Sequence, residues 1–228
     1  LIIVTDDFSG PGFSPAVAQE VAALPEVAVS AGMANAVITA DGSTVEPSVV
    51  DPAALDQLLD IGVSAGSLGD LPAGHIAVSE HYADDHHLEI GSTVDAGFAD
   101  GSSSELTVGA LYTSTMNVGD MVMTPADWTP HADQIGDVVV LVGLADGVSE
   151  ADGLAAVTTV TERNAAPDAQ TRSEYIDSMG SEIDQMLLFV YAMLALAVVI
   201  ALMGIANTLS LSIPVSYTHL RAHETPEH

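Results

Sequence analysis

The sequence predicts an α+β domain, an α/β lobe carrying an inserted β-rich lobe, followed by a stalk helix continuous with one transmembrane helix. Three observations predict it. Short apolar runs alternate with Gly, Asp and Ser turns from Gly62 to about Gly147, whereas the flanking residues mix strand-like runs with helical periodicity. Met186 to Ile213 holds no charged side chain. An apolar stripe at helical spacing leads into that run with no Pro to interrupt it.

The elements follow in order. "LIIVT" (Leu1 to Thr5) reads as a buried strand and "DDFSGPG" as a loop. "SPAVAQEVAAL" reads as a helix, with Ser14 as N-cap, Pro15 at the first helical position, and Val17, Val21 and Leu24 on one face. Pro25 ends it. Strands follow, with a turn at Asp41-Gly42, then a short helix from Asp51 to Asp60 capped by Asp51. "HIAVSE" (His75 to Glu80) is a strand, and Ser92 to Thr113 is a hairpin turned at Asp100-Gly101. Asp137 to Leu144 is a buried strand. Ser149 to Arg163 is a helix that turns Leu154, Val157, Val160 and Thr161 inward. The implied division is a domain over 1–172, with 1–61 and 148–172 as a base lobe and 62–147 as the inserted β-rich lobe. A stalk over 173–185 and a span over 186–213 follow.

Composition narrows the functional classes. The chain has 228 residues, 32 acidic and 3 basic, for a formal charge of -29. The bases are Arg163, Arg172 and Arg221. Nucleic-acid affinity comes largely from Lys and Arg displacing counterions, so a phosphate-tracking surface is excluded. Docking on an anionic leaflet is disfavoured for the same reason. Hydrophobic content of 48% is too high for a disordered acidic tail, and with aromatics at 4% the core is expected to be built from small side chains. Cys is absent, which rules out disulfides, thiolate nucleophiles and Cys-based metal sites. The acid surplus reads as adaptation to an ion-rich exterior, with stability rising as salt screens self-repulsion. The chain starts on Leu1 with no signal-peptide pattern, and reads as a fragment beginning inside a larger protein.

From Met186 to Ala206 a helix would cover roughly 30 Å, the thickness of the hydrocarbon core. Ala197, Ala201, Gly204 and Thr208 step by four, three and four, which puts small residues on one face suited to close packing against another transmembrane helix. An Ala-rich lone span fits the same pattern. Upstream, "TRSE" (Thr171 to Glu174) fits a capping box, and Ile176, Met179, Ile183 and Met186 form the stalk stripe, with Gly180 its weak point. One helix from about Ser173 to about Ile213 would be roughly 60 Å long. The tail "PVSYTHLRAHETPEH" (214–228) breaks the pattern and resembles translated sequencing-adapter sequence. Such a tail is no part of the fold, and its histidines are not a metal site.

Catalytic motifs are missing: no G-x-S-x-G, P-loop or H-E-x-x-H occurs. The strongest metal candidate is "SEHYADDHHLEIG", with Glu80, His81, Asp84, Asp85, His86, His87 and Glu89. His81 with Asp84 or Asp85 could share a helical face, but the adjacent His86 and His87 would diverge, so the segment reads mainly as a solvated connection. Asp6-Asp7 reads as part of a solvated face. No catalytic residue, cofactor or metal is assigned.

The stretch "TRSEYIDSMGSEIDQMLLFVYAMLALAVVIALMGIANTLSLSI" resembles the stalk and following membrane helix of FtsX-like ABC transporter permeases. "VVDPAALDQLLDIG", "GHIAVSEHYADDHHLEIGSTVDAGFADGSSSELTVGALYT" and "VVVLVGLADGVSEADGLAAV" resemble the macrolide-exporter-type (MacB-like) periplasmic core domain of that family. The resemblance implies an extracytoplasmic domain over 1–172, a stalk over 173–185, and a span crossing inward in the cell membrane. It also implies a non-catalytic permease subunit partnered by a cytoplasmic ABC ATPase subunit, and by other permease transmembrane helices or a second permease copy. The family usually continues after "NTLSLSI" with a charged stretch near the ATPase contact, and this sequence departs at Pro214. Two other readings stand beside it: a single-pass anchored extracytoplasmic binding domain without an ATPase, and a metal-dependent enzyme built on the His81 cluster.

Overall fold

The computed structural model describes residues 1–5 and 12–221, without the side chains of 179, 181–185 and 207–221. The chain divides into two units, Leu1–Tyr175 and Ile176–His228. The first contains, in order, β1 (Ile2–Thr5), α1 (Ala16–Ala22), β2 (Val27–Asn35), β3 (Ile38–Ala40), β4 (Ser43–Val45), β5 (Ser48–Val50), α2 (Pro52–Leu58), β6 (Val63–Gly66), β7 (His75–Ser79), α3 (Glu80–His86), β8 (Thr93–Gly97), β9 (Ser103–Tyr112), β10 (Met121–Met123), α4 (Pro125–Trp128), a 3-10 turn (Thr129–His131), β11 (Val139–Leu144), α5 (Glu150–Arg163) and β12 (Ala169–Thr171). A last helix, α6 (Arg172–Arg221), starts in the first unit and supplies the second.

Among the described residues all strands belong to one mixed sheet, in the order β12-β1-β11-β2-β5-β10-β7-β9-β8-β3-β4, with β6 also on β9. The β5–β10 and β7–β9 pairs are parallel. Period-two alternation sends side chains to both faces, and both faces are buried at the β1–β11 end. There Ile2, Val4, Val140 and Val142 pack on one face against Val17 and Val21 of α1 and Val157 and Val160 of α5. Fully burying each such valine stabilises by roughly 1.5 kcal/mol or more. Ile3, Val139 and Leu141 face the other way and meet Met33, Val50 and Leu55 of α2. A third cluster, including Ile76, Val94, Leu106 and Met123, forms the core beneath α3.

Strand β9 sits at the centre of the β-rich end. Its register against β7 shifts between Ile76 and Ala77, which pair with Val108 and Ala110, so Gly109 is the extra residue. One inserted residue sends the rest of the strand to the opposite face. Leu106 and Val108 accordingly pack with Ile76, whereas Ala110 and Tyr112 join the cluster around Leu141. Tyr112 is fully buried, and its hydroxyl donates to the Gly119 carbonyl at 2.8 Å.

Several local expectations are met. The Asp51 carboxylate accepts from Ala53 N–H at 2.9 Å and from Ala54 N–H. Ser149, read as the first residue of its helix, is instead the N-cap of α5 and accepts from Asp152 N–H at 3.1 Å. The hairpin turned at Asp100-Gly101 is β8–β9, and the Asp41-Gly42 turn joins β3 to β4. Other expectations shift. Helix α1 begins at Ala16 with Pro15 as its N-cap, while Ser14 Oγ only weakly accepts from Ala16 N–H at 3.3 Å. Glu80 opens α3 instead of ending the strand, because Ser79 caps that helix by accepting from Tyr82 N–H at 3.0 Å. The sequence reading did not anticipate β5, β6, β10, β12 or α4. The loop residues 6–11 lie outside the described residues.

The carboxylates are little paired. Among the described residues the ion pairs are Arg163–Glu20 at 3.3 Å and two that involve His81 and His131. Like-charge repulsion at the surface therefore goes largely unneutralised. Raising NaCl shortens the Debye length from about 10 Å at 0.1 M to about 3 Å at 1 M. The melting temperature is expected to climb over that range, and a melt insensitive to salt would contradict the repulsion argument.

Candidate membrane span and its attachment to the domain

The attachment is built at the edge of the sheet. Strand β12 pairs antiparallel with β1, with Ile2 opposite Thr171 and Val4 opposite Ala169, and Arg172 N–H donates to the Leu1 carbonyl at 3.2 Å. The capping box forms as read. Thr171 N–H donates to Glu174 Oε2 at 2.8 Å, and Glu174 N–H donates to Thr171 Oγ1 at 3.3 Å. These two bonds satisfy donors that a helix start leaves orphaned. Hydrogen bonds to the carboxylate from the Thr171 N–H, and then from the Thr171 side chain, favour its charged form and hold Glu174 below its ordinary range. Tyr175 packs against the core cluster that contains Ile3 and Leu141. The first turn of α6 is thereby fastened to the domain by strand pairing, capping and one aromatic ring.

In the second unit, Met186–Ala206 is a stretch of 21 residues long and apolar enough to cross a membrane, and none of it is buried. Phe189 is 68% exposed and Leu202 60%. A helix of a soluble protein turns one apolar stripe inward and covers it. This one presents apolar side chains all round, as a span in lipid does. The residues read as a packing face stand on it: Ala197, Ala201 and Gly204 are exposed, and a Cβ on Gly204 would meet open space. The side chain of Thr208 lies outside the described residues. Of the stalk stripe, Ile176 and Met186 are exposed, while the side chains of Met179 and Ile183 lie outside the description. The backbone of α6 continues through Pro214 to Arg221, and 222–228 lie outside the described residues.

Among the described residues the segment around His81 does not gather into a metal-binding group. His81 Nε2 lies 3.7 Å from Asp85 Oδ2 on an exposed helical turn. His86 instead stacks on Tyr82 at 4.1 Å, and His87 ends α3 in the left-handed conformation at φ 56°. Among the described residues no three His, Asp or Glu side chains group in a way that could hold a metal ion. Asp6 and Asp7 lie outside the described residues.

The fold does bring together a Ser, a His and an Asp that the sequence reading did not connect. Ser102 Oγ lies 2.8 Å from His131 Nδ1, and Asp100 Oδ2 lies 3.0 Å from the same nitrogen. Ser102 Oγ also donates to Asp100. The bonds to Ser102 and then to His131 lower the Asp100 carboxyl to about 2. In a nucleophilic triad the hydroxyl and the carboxylate bond opposite nitrogens of the ring. Here both meet Nδ1, so the arrangement ties the β8–β9 turn to the 3-10 turn, with Phe98 stacked on His131 at 3.9 Å. An Asx turn at Asp100 was legible in "DGS"; its partner lies 31 residues away.

No family model and no curated protein matches the sequence. Solved structures do match. The crystal structure of the periplasmic region of MacB from Actinobacillus actinomycetemcomitans aligns at a TM-score of 0.57 with 11% identity, covering 79% of this chain and 91% of that one. The extracellular domain of the ABC-type transporter YknZ from Gram-positive bacteria aligns at 0.49 with 10% identity, covering 75% and 97%. The first likeness shows a shared fold, a sheet-dominated α/β domain of the MacB periplasmic type, so the resemblance read from the sequence is met at the level of the fold.

Proposed function

We propose that the chain is part of the permease subunit of an ABC-type export or mechanotransmission complex. In this reading the α/β domain lies outside the membrane, α6 carries the stalk over 173–185 and crosses the bilayer over 186–213, and a cytoplasmic ABC ATPase subunit drives the movement. The small-residue face at Ala197, Ala201, Gly204 and Thr208 receives another permease helix or a second copy. The observation that carries the proposal is a conjunction: a domain of MacB periplasmic fold runs directly into a wholly unburied apolar helix. The permease holds no catalytic residues, in keeping with the absence of hydrolase motifs.

The lack of Cys makes topology testable. A Ser104→Cys variant of the uninterrupted gene product, at an exposed position of β9, is expected to stay in alkaline-washed membranes and to react with an impermeant maleimide added outside intact spheroplasts. Labelling only after lysis, or recovery in the aqueous fraction, would overturn the reading. ATPase activity is expected to co-purify with the solubilised protein; without it, the anchored binding domain becomes the better account. Leu196 lies mid-span, so Leu196→Arg is expected to disfavour insertion by about 3 kcal/mol and to move most of the chain out of the washed membrane fraction.

A further inference from the structure

A cavity of about 600 Å³ opens on the domain between α1, strand β2 and α4. That volume lies within the range of small-molecule sites. Its floor is made shallow by small residues. Ser30, Gly32 and Ala34 alternate along β2 on the face away from Ala31 and Met33. Its walls are largely apolar and include Pro15, Ala18, Pro125, Trp128 and Ile135.

Two polar side chains are left unsatisfied in this setting. Asp137 is only 6% exposed, and its Oδ2 is buried with no hydrogen-bond partner among the described residues. Ser30 Oγ is likewise buried and unpartnered among them. The carboxylate occupies space that any side chain at position 32 would fill: a Cβ on Gly32 would come within 2.7 Å of Asp137 Cγ. A buried charge ordinarily has a counter-ion, because desolvation otherwise costs several kcal/mol. The described residues do not supply one there. Among them, the other titratable group lining the cavity is Asp51, at the head of α2; α1 and α4 contribute none. Arg163 is engaged with Glu20.

We infer that this cavity binds an organic ammonium ion carried on an apolar body, with the cation on Asp137, the Ser30 hydroxyl beside it, and the body against Trp128 and the proline walls. Calcium or magnesium fits poorly, since these ions take six or more oxygens and the surroundings offer few, and the described lining holds no His to suit zinc. An ammonium needs one carboxylate, and its apolar body gains from burial against Trp128 and the prolines. Burial also pushes the Asp137 carboxyl up to about 6. A raised folded-state value means that the stability tied to this group is complete below its ordinary 3.8 and is lost as pH rises through about 6. The site is thus held under electrostatic tension near neutral pH that a bound cation would relieve. The inference does not depend on the membrane reading, because every residue used belongs to the domain.

Trp128 is the single tryptophan and lines the cavity, so its fluorescence reports occupancy. The full chain in a non-ionic maltoside micelle would be titrated with adamantylamine and, separately, with uncharged adamantanol, at about pH 7.5, where the amine is charged. Saturable binding of the amine is expected, weakened about tenfold or more in Asp137→Asn, with the alcohol unaffected by the substitution. Without ligand, Asp137→Asn is expected to raise the melting temperature at that pH and to flatten its fall between about pH 4 and 7. A second variant, Gln19→Lys, supplies a cation from the exposed wall of α1 and is expected to abolish amine binding even if Asp137→Asn fails to fold. Equal affinity for amine and alcohol, no saturable signal, or unchanged amine affinity in both variants would overturn the inference.

Discussion

Tyr112→Ala is expected to be among the most destabilising substitutions in the domain, at about 3–5 kcal/mol. Tyr112 has the largest side chain of those fully buried, and it lies on β9 opposite Ser79 of β7 and Val63 of β6. Truncation leaves a void in the cluster that also contains Leu141, Val122 and Leu55. The void cannot close easily, since its walls are strands fixed by ladder bonds on both sides. The phenol adds a separable contribution. Its hydroxyl is the donor to the Gly119 carbonyl, and burial pushes its titration well above the ordinary tyrosine range. Tyr112→Phe keeps the volume and loses that bond, so it should cost only about 1 kcal/mol. Urea unfolding of the chain in micelles, followed by Trp128 emission, measures both. Similar losses for Ala and Phe would mean that the hydroxyl, not the packing, dominates.

Gly66→Ala is expected to cost about 3 kcal/mol or more, although it adds a single methyl group. Gly66 ends β6 at φ 76°, where side chains are disfavoured. Its Cβ would also run into the Gly109 carbonyl oxygen and come within 2.9 Å of Ala110 Cα. Both obstacles are backbone, and both belong to the bulge that sets the register of β9. A control separates strain from collision. Gly101 has φ 83° in the β8–β9 turn, but nothing lies within 4 Å of its Cβ position. Gly101→Ala should therefore lose only about 1–2 kcal/mol, the left-handed penalty alone. Equal losses at the two positions would show that the close approach at Gly66 relaxes freely.

What the sequence made legible were features carried by near neighbours. The β8–β9 hairpin shows itself by alternation around Asp-Gly, the caps at Asp51 and Thr171 by their position before apolar runs, and the span by its length. What escaped depends on distant partners. Strands β5, β10 and β12 are three residues each, too short to display a period, and β5 becomes a strand by pairing with Met123 and Met33 from far along the chain. Ser79 reads as a strand residue until Asp120 is seen to accept from its hydroxyl at 2.7 Å while its oxygen caps α3. Asp137 is the sharpest case. In a chain with 32 acidic residues, a buried carboxylate carries no mark that separates it from the solvated ones. Its burial follows from Gly32, more than a hundred positions earlier, and from the bridge between Phe13 and Asp137.

The pairing of β12 with β1 has a mechanical corollary. Leu1 and Arg172 leave the sheet at the same end of one antiparallel pair, joined by a single hydrogen bond. Tension pulling these two points apart would load the rungs one after another, like a zip, rather than all at once in shear. The domain would thus yield at low force along that edge while the ladders behind it stay intact.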